Sequence, residues 1–331
     1  MRYDLDLDSG VVYPGTSMVD LAKVAEDCGF DAIWKGESNS ADPMVSLSAM
    51  AVGTRTIKLG TAVYHVFGRT PVTLGIQAAT LNDLSGGRVL IGLGVSNKTI
   101  AAWHDATFDR PLRRIREYSD IVRQVARGDR VEYDGDVYTT TPFKLSWRSS
   151  YPEVPIYFAG LGEQMTRLAG RYADGIMVNM ANPSMLREIF GRVRESAAAA
   201  GRDPSTLEYI AKVRVCLHPD RASAIAKLKA ALAFYNIADF YRDLIGQMGF
   251  AQESAHIREA YRESGFRAAQ AAVPDSLIEE LPTIAATTVD EARERLQPYL
   301  ETGVTRLIIP YVAASDDAVG ETRRFLESWA I

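Results

Sequence analysis

Seven short apolar segments with β-branched residues, preceded by one in which Tyr3, Leu5 and Leu7 alternate with Asp4, Asp6 and Asp8, recur along the chain, and each is followed by a stretch with helical periodicity. They lie at 2–8 (RYDLDLD), 31–34 (DAIW), 57–63 (IKLGTAV), 88–94 (RVLIGLG), 155–160 (PIYFAG), 175–179 (GIMVN), 209–217 (YIAKVRVCL) and 306–311 (RLIIPY). Strands that alternate with helices pair in parallel through right-handed crossovers. Eight such units predict a closed α/β barrel, the (β/α)8 TIM barrel.

The intervening stretches read as helices with recognisable ends. Segment 18–28 (MVDLAKVAEDC) sets Val19, Leu21, Ala22 and Ala25 near one face and stops at Gly29, a helix-ending residue. Segments 71–84 and 111–126 open on proline, whose missing N–H is not needed in a first turn. Asn182-Pro183-Ser184 starts another helix, closed by Gly201; 290–300 precedes the last strand and 320–330 ends the chain.

Two segments interrupt the alternation. The first, 128–153, carries Asp134-Gly135, a hairpin-turn signal. The second, 233–286, is aromatic-rich and reads as extra helices. Insertions at the C-terminal face of a barrel build a substrate pocket or lid, or a subunit interface. Phe234, Tyr235, Phe240 and Tyr241 are therefore read either as pocket lining or as helix packing. No linker divides the chain, so 1–331 is expected to be one domain.

Charge narrows the partners. The formal net charge is −5 and the basic residues are dispersed, which argues against a nucleic-acid or anionic-membrane partner. The densest basic group, Arg110, Arg113, Arg114 and Arg116, reads as the solvated start of a helix. No apolar run approaches ~20 residues, so no membrane-spanning helix is expected. The acidic N-terminus does not fit a secretory leader, and Cys28 and Cys216, without a CxxC partner, fit buried thiols. A cytoplasmic location is the expectation.

Barrel chemistry sits where the strands end. After the fifth strand, Ala159-Gly160-Leu161-Gly162 leads into a helix; glycines there let backbone approach a ligand, and the first-turn N–H groups point at an anion. It reads as a phosphate cradle or as a bare tight turn. After the fourth strand comes Gly92-Leu93-Gly94-Val95-Ser96-Asn97. Asn97 replaces the third glycine of a dinucleotide fingerprint, so a Rossmann site is not expected. Gly94 suits a flat ring laid on backbone, with Ser96 and Asn97 as hydrogen-bonding groups or a simple helix cap.

The loop after the second strand offers Glu37, Ser38 and Asn39, and Glu37 is the expected general acid. Asp42 before Pro43 reads as a helix cap. Asp6 is a second candidate acid, although Asp4, Asp6 and Asp8 together read rather as a polar edge or bottom layer. His65 and His104 sit in loops at the catalytic face, and His104 is the third candidate. No metal site is expected, since HExxH is absent, and neither GxSxG nor a phosphate-binding P-loop motif occurs.

Several stretches together resemble the luciferase-like flavin- and deazaflavin-dependent oxidoreductases. They are Ile57-Lys58-Leu59-Gly60-Thr61-Ala62-Val63, Leu81-Asn82-Asp83-Leu84-Ser85-Gly86-Gly87-Arg88 leading into Gly92-Leu93-Gly94, Trp103-His104, Pro111-Leu112-Arg113-Arg114-Ile115-Arg116-Glu117-Tyr118, and Ala169-Gly170-Arg171-Tyr172-Ala173-Asp174-Gly175. The resemblance implies a barrel that pairs into homodimers and holds a flavin-type ring at its strand ends. It implies a non-proline cis peptide at Ala62–Val63, with Ser38, Asn39, Thr61, Gly94, Val95, Ser96 and Asn97 around the ring. The loop of Ala159, Gly160, Leu161 and Gly162 would take the phosphate.

The Gly-Val-Ser-Asn and Trp-His series is most similar to the branch using coenzyme F420, which includes relatives of methylenetetrahydromethanopterin reductase. Ser96 and Asn97 stand where several deazaflavin enzymes carry an acid, and Ser38 where some carry a histidine. Hydride transfer between F420 and a small organic substrate is the expected activity. The alternatives are an FMN-dependent monooxygenase fed by a partner flavin reductase, a flavin-free reductase of pterin or folate substrates that uses NADH or NADPH, and a non-catalytic flavin binder.

Overall fold

The computed structural model describes residues 1–8, 13–237 and 239–330. The barrel strands are β1 (Arg2–Asp6), β2 (Ala32–Lys35), β3 (Lys58–His65), β4 (Val89–Gly94), β5 (Ile156–Ala159), β6 (Gly175–Val178), β7 (Glu208–Lys212) and β8 (Arg306–Pro310). They close in the order β1-β8-β7-β6-β5-β4-β3-β2. Every neighbouring pair in the ring is parallel.

Strand alternation divides the apolar residues into two cores. Ala32, Trp34, Leu90, Tyr157, Met177, Ile210 and Ile308 point inward and fill the lumen. The opposite strand faces pack against the helices in a larger outer core. The helix ends fall where the punctuation placed them. Asp42 Oδ1 accepts from the Val45 N–H at 3.0 Å, and Asn182 caps Pro183–Ala199 in the same way. Helices Pro71–Ser85 and Pro111–Arg127 both carry proline in the first turn.

The acids of β1 are neither an edge nor a solvated layer. Asp4 and Asp6 are fully buried, and each acid meets a cation from a different strand. Arg306 Nη1 on β8 lies 2.8 Å from both Asp4 oxygens, and Trp34 Nε1 donates to Asp4 Oδ2 at 2.8 Å. Lys212 on β7 reaches Asp6 at 2.5 Å, and Lys35 on β2 reaches Asp8 at 2.6 Å. Burying a lone charge is costly, so the acids and cations are buried as pairs. Burial alone would lower the Arg306 pKa, but Asp4 and Asp31 outweigh it and hold the guanidinium above its ordinary range.

At the N-terminal pole, two of the motifs that carried the family resemblance, those ending at Arg88 and Gly175, act as clamps. Gly86 and Gly87 take left-handed φ values of 71° and 85°, which turns the chain back into β4. Arg88 then donates to the carbonyls of Ala51, Thr54, Ile57 and Ser85. Asp174 accepts from the Ile156 N–H at 2.7 Å. A side chain at Gly175 would strike the Glu208 carbonyl oxygen at 2.2 Å.

Glu26 joins the same pole. Burial would raise its carboxyl, but hydrogen bonds from the Thr56, Ile57 and Arg55 backbone N–H groups and from the Thr56 hydroxyl outweigh that and bring it down to about 2 from 4.5. A carboxylate depressed in the fold stabilises fully above its unfolded pKa and loses that contribution as pH falls through its folded one. Melting temperatures across pH 4.5 to 2 should therefore fall more steeply for the wild type than for Glu26→Gln. Parallel curves would refute the role given to Glu26.

Both insertions take the expected form, while the seventh predicted strand does not. Strands Val131–Asp134 and Thr139–Phe143 form the expected hairpin, and buried Glu117 accepts from the N–H groups of Asp136, Val137 and Tyr138 to hold its turn. Segment 209–217 is not one strand. The Val213 N–H still bonds to Ile308, but the Arg214 N–H bonds to Pro282, and Arg214–Leu217 pairs in parallel with Thr283–Ala286 outside the barrel. The second insertion is helical from Arg221–Ile237 to Asp275–Glu280 and returns through that short strand. Arg114 is not solvated either; it pairs with Asp109 and its guanidinium lies 4.8 Å over the Phe67 ring.

Candidate active site

The rim at the C-terminal ends of β3, β4 and β5 offers a small apolar platform. Ala62, Val63 and Ala159 are half-buried and pack against the lumen core. The Ala62–Val63 peptide is cis, as the resemblance implied. At Gly94 an added Cβ would meet Val63 Cγ2 at 2.7 Å and Ala159 Cβ at 3.8 Å, so the absence of a side chain keeps this surface flat.

The turn after β5 opens on the same rim. Gly162 precedes helix Glu163–Tyr172, whose first turn has no side-chain cap. A Cβ on Gly162 would meet nothing within 4 Å, whereas one on Gly160 would strike Met165 Cγ at 2.3 Å. Leu161 is buried and roots the turn in the outer core. Free N–H groups at a helix start facing open space suit an oxyanion. The Glu163 carboxylate in that first turn is drawn to Arg167 Nε at 2.9 Å.

Other expected ligand residues stand differently. Thr61 is fully buried; its hydroxyl donates to the Gly92 carbonyl at 3.0 Å and accepts the Gly92 N–H at 2.9 Å, which ties β3 to β4 rather than presenting a group to the rim. Asn97 caps helix Lys98–Trp103 by accepting from the Ile100 N–H at 3.0 Å. Val95 and Ser96 are half-buried beside it, and Ser96 has a φ of 53°. Ser38 and Asn39 are exposed at the mouth, with the Ser38 hydroxyl 3.0 Å from that of Ser40.

Glu37 does not offer a free carboxyl to the lumen. One oxygen bonds the Arg69 guanidinium, and the other accepts the His65 N–H at 3.1 Å. The side chain is thereby held in the loop after β3, which makes it an anchor of that loop. His65 Nε2 lies 3.3 Å from Glu37 and 3.2 Å from His104 Nε2. Burial, with His104 and Arg69 adding to it, lowers the His65 pKa against the pull of Glu37, so this ring is neutral near pH 7. His104 is exposed, with its Nε2 against the His65 ring.

Of the three candidate acids and bases, Asp6 alone sits inside the barrel, and it too is engaged, one oxygen with Lys212 at 2.5 Å and the other accepting the Asp8 N–H at 2.8 Å. Lys212, its partner, also donates to the Ala62 carbonyl at 3.1 Å, which places the pair directly under the platform. Reading the sequence missed Lys212. The available signal was the one cation in β7, matched to an unexplained acid of β1. Among the described residues, no group of three or more His, Cys, Asp or Glu side chains is arranged for a metal ion.

The family model described as luciferase-like monooxygenase matches residues 6–306. The chain belongs to that family. Within it, a Mycobacterium tuberculosis protein provisionally named a coenzyme F420-dependent oxidoreductase is 30% identical over 93% of this chain and 94% of its own length. The 5,10-methylenetetrahydromethanopterin reductase of Archaeoglobus fulgidus is 28% identical over 86% of each chain. Among solved structures, the coenzyme F420-dependent tetrahydromethanopterin reductase of Methanopyrus kandleri superposes with a TM-score of 0.85 at 25% identity, covering 99% of this chain and 97% of that one. This luciferase-like chain is accordingly an oxidoreductase. No helix among its described residues is long and apolar enough to cross a membrane.

Proposed function

We propose that this enzyme transfers a hydride between coenzyme F420 and a small organic substrate. The observation that carries the reading is the pairing of a flat apolar platform at Ala62, Val63, Gly94 and Ala159 with an open, uncapped helix start at Gly162 on the adjacent strand end. A planar heterocycle with a phosphorylated tail matches both features. The names of the Mycobacterium tuberculosis relative and of the Methanopyrus kandleri structure favour the deazaflavin over FMN or NADPH.

Ala62, Val63, Gly94 and Ala159 would hold the ring, and the N–H groups beginning helix Glu163–Tyr172 would hold the phosphate. When bound, the deazaflavin supplies or takes the hydride at its C5 carbon. The chain's own part is positioning and proton handling. In this reading Asp6, beneath the platform, would hold or release the proton, with Lys212 and the Asp8 N–H fixing its two oxygens. Glu37 and Arg69 hold the loop after β3 that borders the ring.

Gly162→Ala separates ligand contact from folding. The added methyl meets no protein atom, so the melting temperature should stay within about 1 °C of wild type. The same methyl would stand between backbone and phosphate, and F420 affinity, followed by coenzyme fluorescence, should fall about tenfold, a cost of about 1.4 kcal/mol. Unchanged affinity would remove Gly162 from the coenzyme site.

A further inference from the structure

Among the described residues four lysine or arginine side chains are buried: Lys35, Lys212, Arg214 and Arg306. Three of them have a carboxylate partner, Asp8, Asp6 and Asp4 respectively. Arg214, only 5% exposed, has none. Its Nη1 donates to Asn179 Oδ1 at 3.2 Å and lies 3.8 Å from Met180 Sδ. Its Nη2 bonds the Tyr235 hydroxyl, and the guanidinium stacks 4.6 Å from the Tyr235 ring centre. All these partners are neutral, and none of them takes Nε. A buried guanidinium keeps its charge at every working pH, and neutral acceptors leave that charge uncompensated.

The location matters as much as the charge. Asn179 directly follows β6 and Arg214 follows β7, so both stand on the C-terminal rim. Tyr235 hangs from Arg221–Ile237, the first helix of the second insertion, and Tyr241 packs edge-on against it at 4.8 Å. In the ring order β7 is four strands from β3. Arg214 therefore lies across the mouth from Ala62 and Val63, two strands from the turn after β5, with Asn179 on the strand between. A guanidinium presents paired donors that match an oxyanion in a plane.

We propose that Arg214, with Asn179 and Tyr235, is the subsite that recognises a carboxylate or phosphate group carried by the organic substrate. The assignment rests on the hydride-transfer reading for the identity of the second molecule, and on geometry alone for the anion. The reducible centre of such a substrate lies towards the platform while its anionic end is held at the opposite wall.

The test uses the full-length enzyme, with and without F420, at ionic strength held constant with sodium chloride. Acetate, succinate and inorganic phosphate are titrated and followed by thermal shift and calorimetry. We expect at least one of the three to bind the wild type at millimolar concentrations. Arg214→Gln should weaken that binding at least tenfold and Tyr235→Phe severalfold, with F420 affinity changed less than twofold. Absence of oxyanion binding to the wild type overturns the proposal, whatever the variants do. So does equal binding by Arg214→Gln, or by Tyr235→Phe if the first variant does not fold.

A tenfold loss of F420 affinity in Arg214→Gln, with binding of the deazaflavin riboside that lacks the phosphorylated tail unchanged, would assign the cation to the coenzyme and overturn the substrate subsite. Oxyanion binding that depends on Arg214 in a protein that takes up no F420 would sustain the subsite and defeat the hydride-transfer reading instead.

Discussion

Arg306→Met is expected to destabilise the protein by about 3–5 kcal/mol, because it leaves the Asp4 carboxylate fully buried without its cation. Urea denaturation followed by tryptophan fluorescence reads the change. The expected recovery is as informative as the loss. In Arg306→Met combined with Asp4→Asn the uncompensated charge is gone, the asparagine carbonyl still accepts from Trp34 Nε1, and Asp31 retains Lys58 at 3.1 Å. More than half of the lost stability should return. A single variant costing under about 1 kcal/mol, or a double variant no better than the single, would mean that the β1 pairs are not what holds the lumen together.

Asp6→Asn should lower turnover about 10²–10⁴-fold, the range typical of a lost general acid or base, while F420 binding stays within a few fold. The variant leaves Lys212 with the Ala62 carbonyl and an amide oxygen, so some stability is lost, and turnover is to be compared in protein shown by circular dichroism to be folded. Glu37→Gln provides the internal contrast. Its carboxylate is bound to Arg69 and the His65 N–H, so its loss should loosen the loop and affect coenzyme affinity at least as much as turnover. A larger fall in turnover for Glu37→Gln than for Asp6→Asn would reverse the assignment of the two acids.

The barrel was legible because each strand buries one or both faces and so writes an apolar segment into the chain, and because proline, glycine, Asp42 and Asn182 mark the helix ends. The two glycine-marked turns were legible for a similar reason: only a missing side chain keeps Gly94 flat or leaves Gly162 open. Polar residues were harder to place. A hydroxyl at Thr61 looks like a rim group until β4 is laid beside it and takes both of its hydrogen bonds. Glu37 looks like a free acid until Arg69 folds back over it. Asp4 and Asp6 of β1 could not be assigned, since their partners on β8 and β7 are more than 200 residues away and each is a lone cation in its strand. The break at Val213 was hidden as well, since Thr283–Ala286 carries no pattern that sets it apart from the end of a helix.

The segments that carried the family resemblance most strongly, ending at Arg88 and Gly175, lie at the pole opposite the site. Features at that pole secure a barrel, while strand-end loops decide its chemistry. The family is thus easier to read from this chain than its substrate, which would be met by Arg214 and the second insertion.

The decisive measurement is a parallel equilibrium titration of the purified protein with F420, FMN and NADPH, each followed by the ligand's own fluorescence, with Gly162→Ala as the matched control. We expect saturable F420 binding at micromolar concentration or below, weakened about tenfold by the variant, and negligible uptake of the other two. Preferential binding of FMN, or F420 binding indifferent to Gly162, would contradict the assignment of this rim to a phosphorylated deazaflavin.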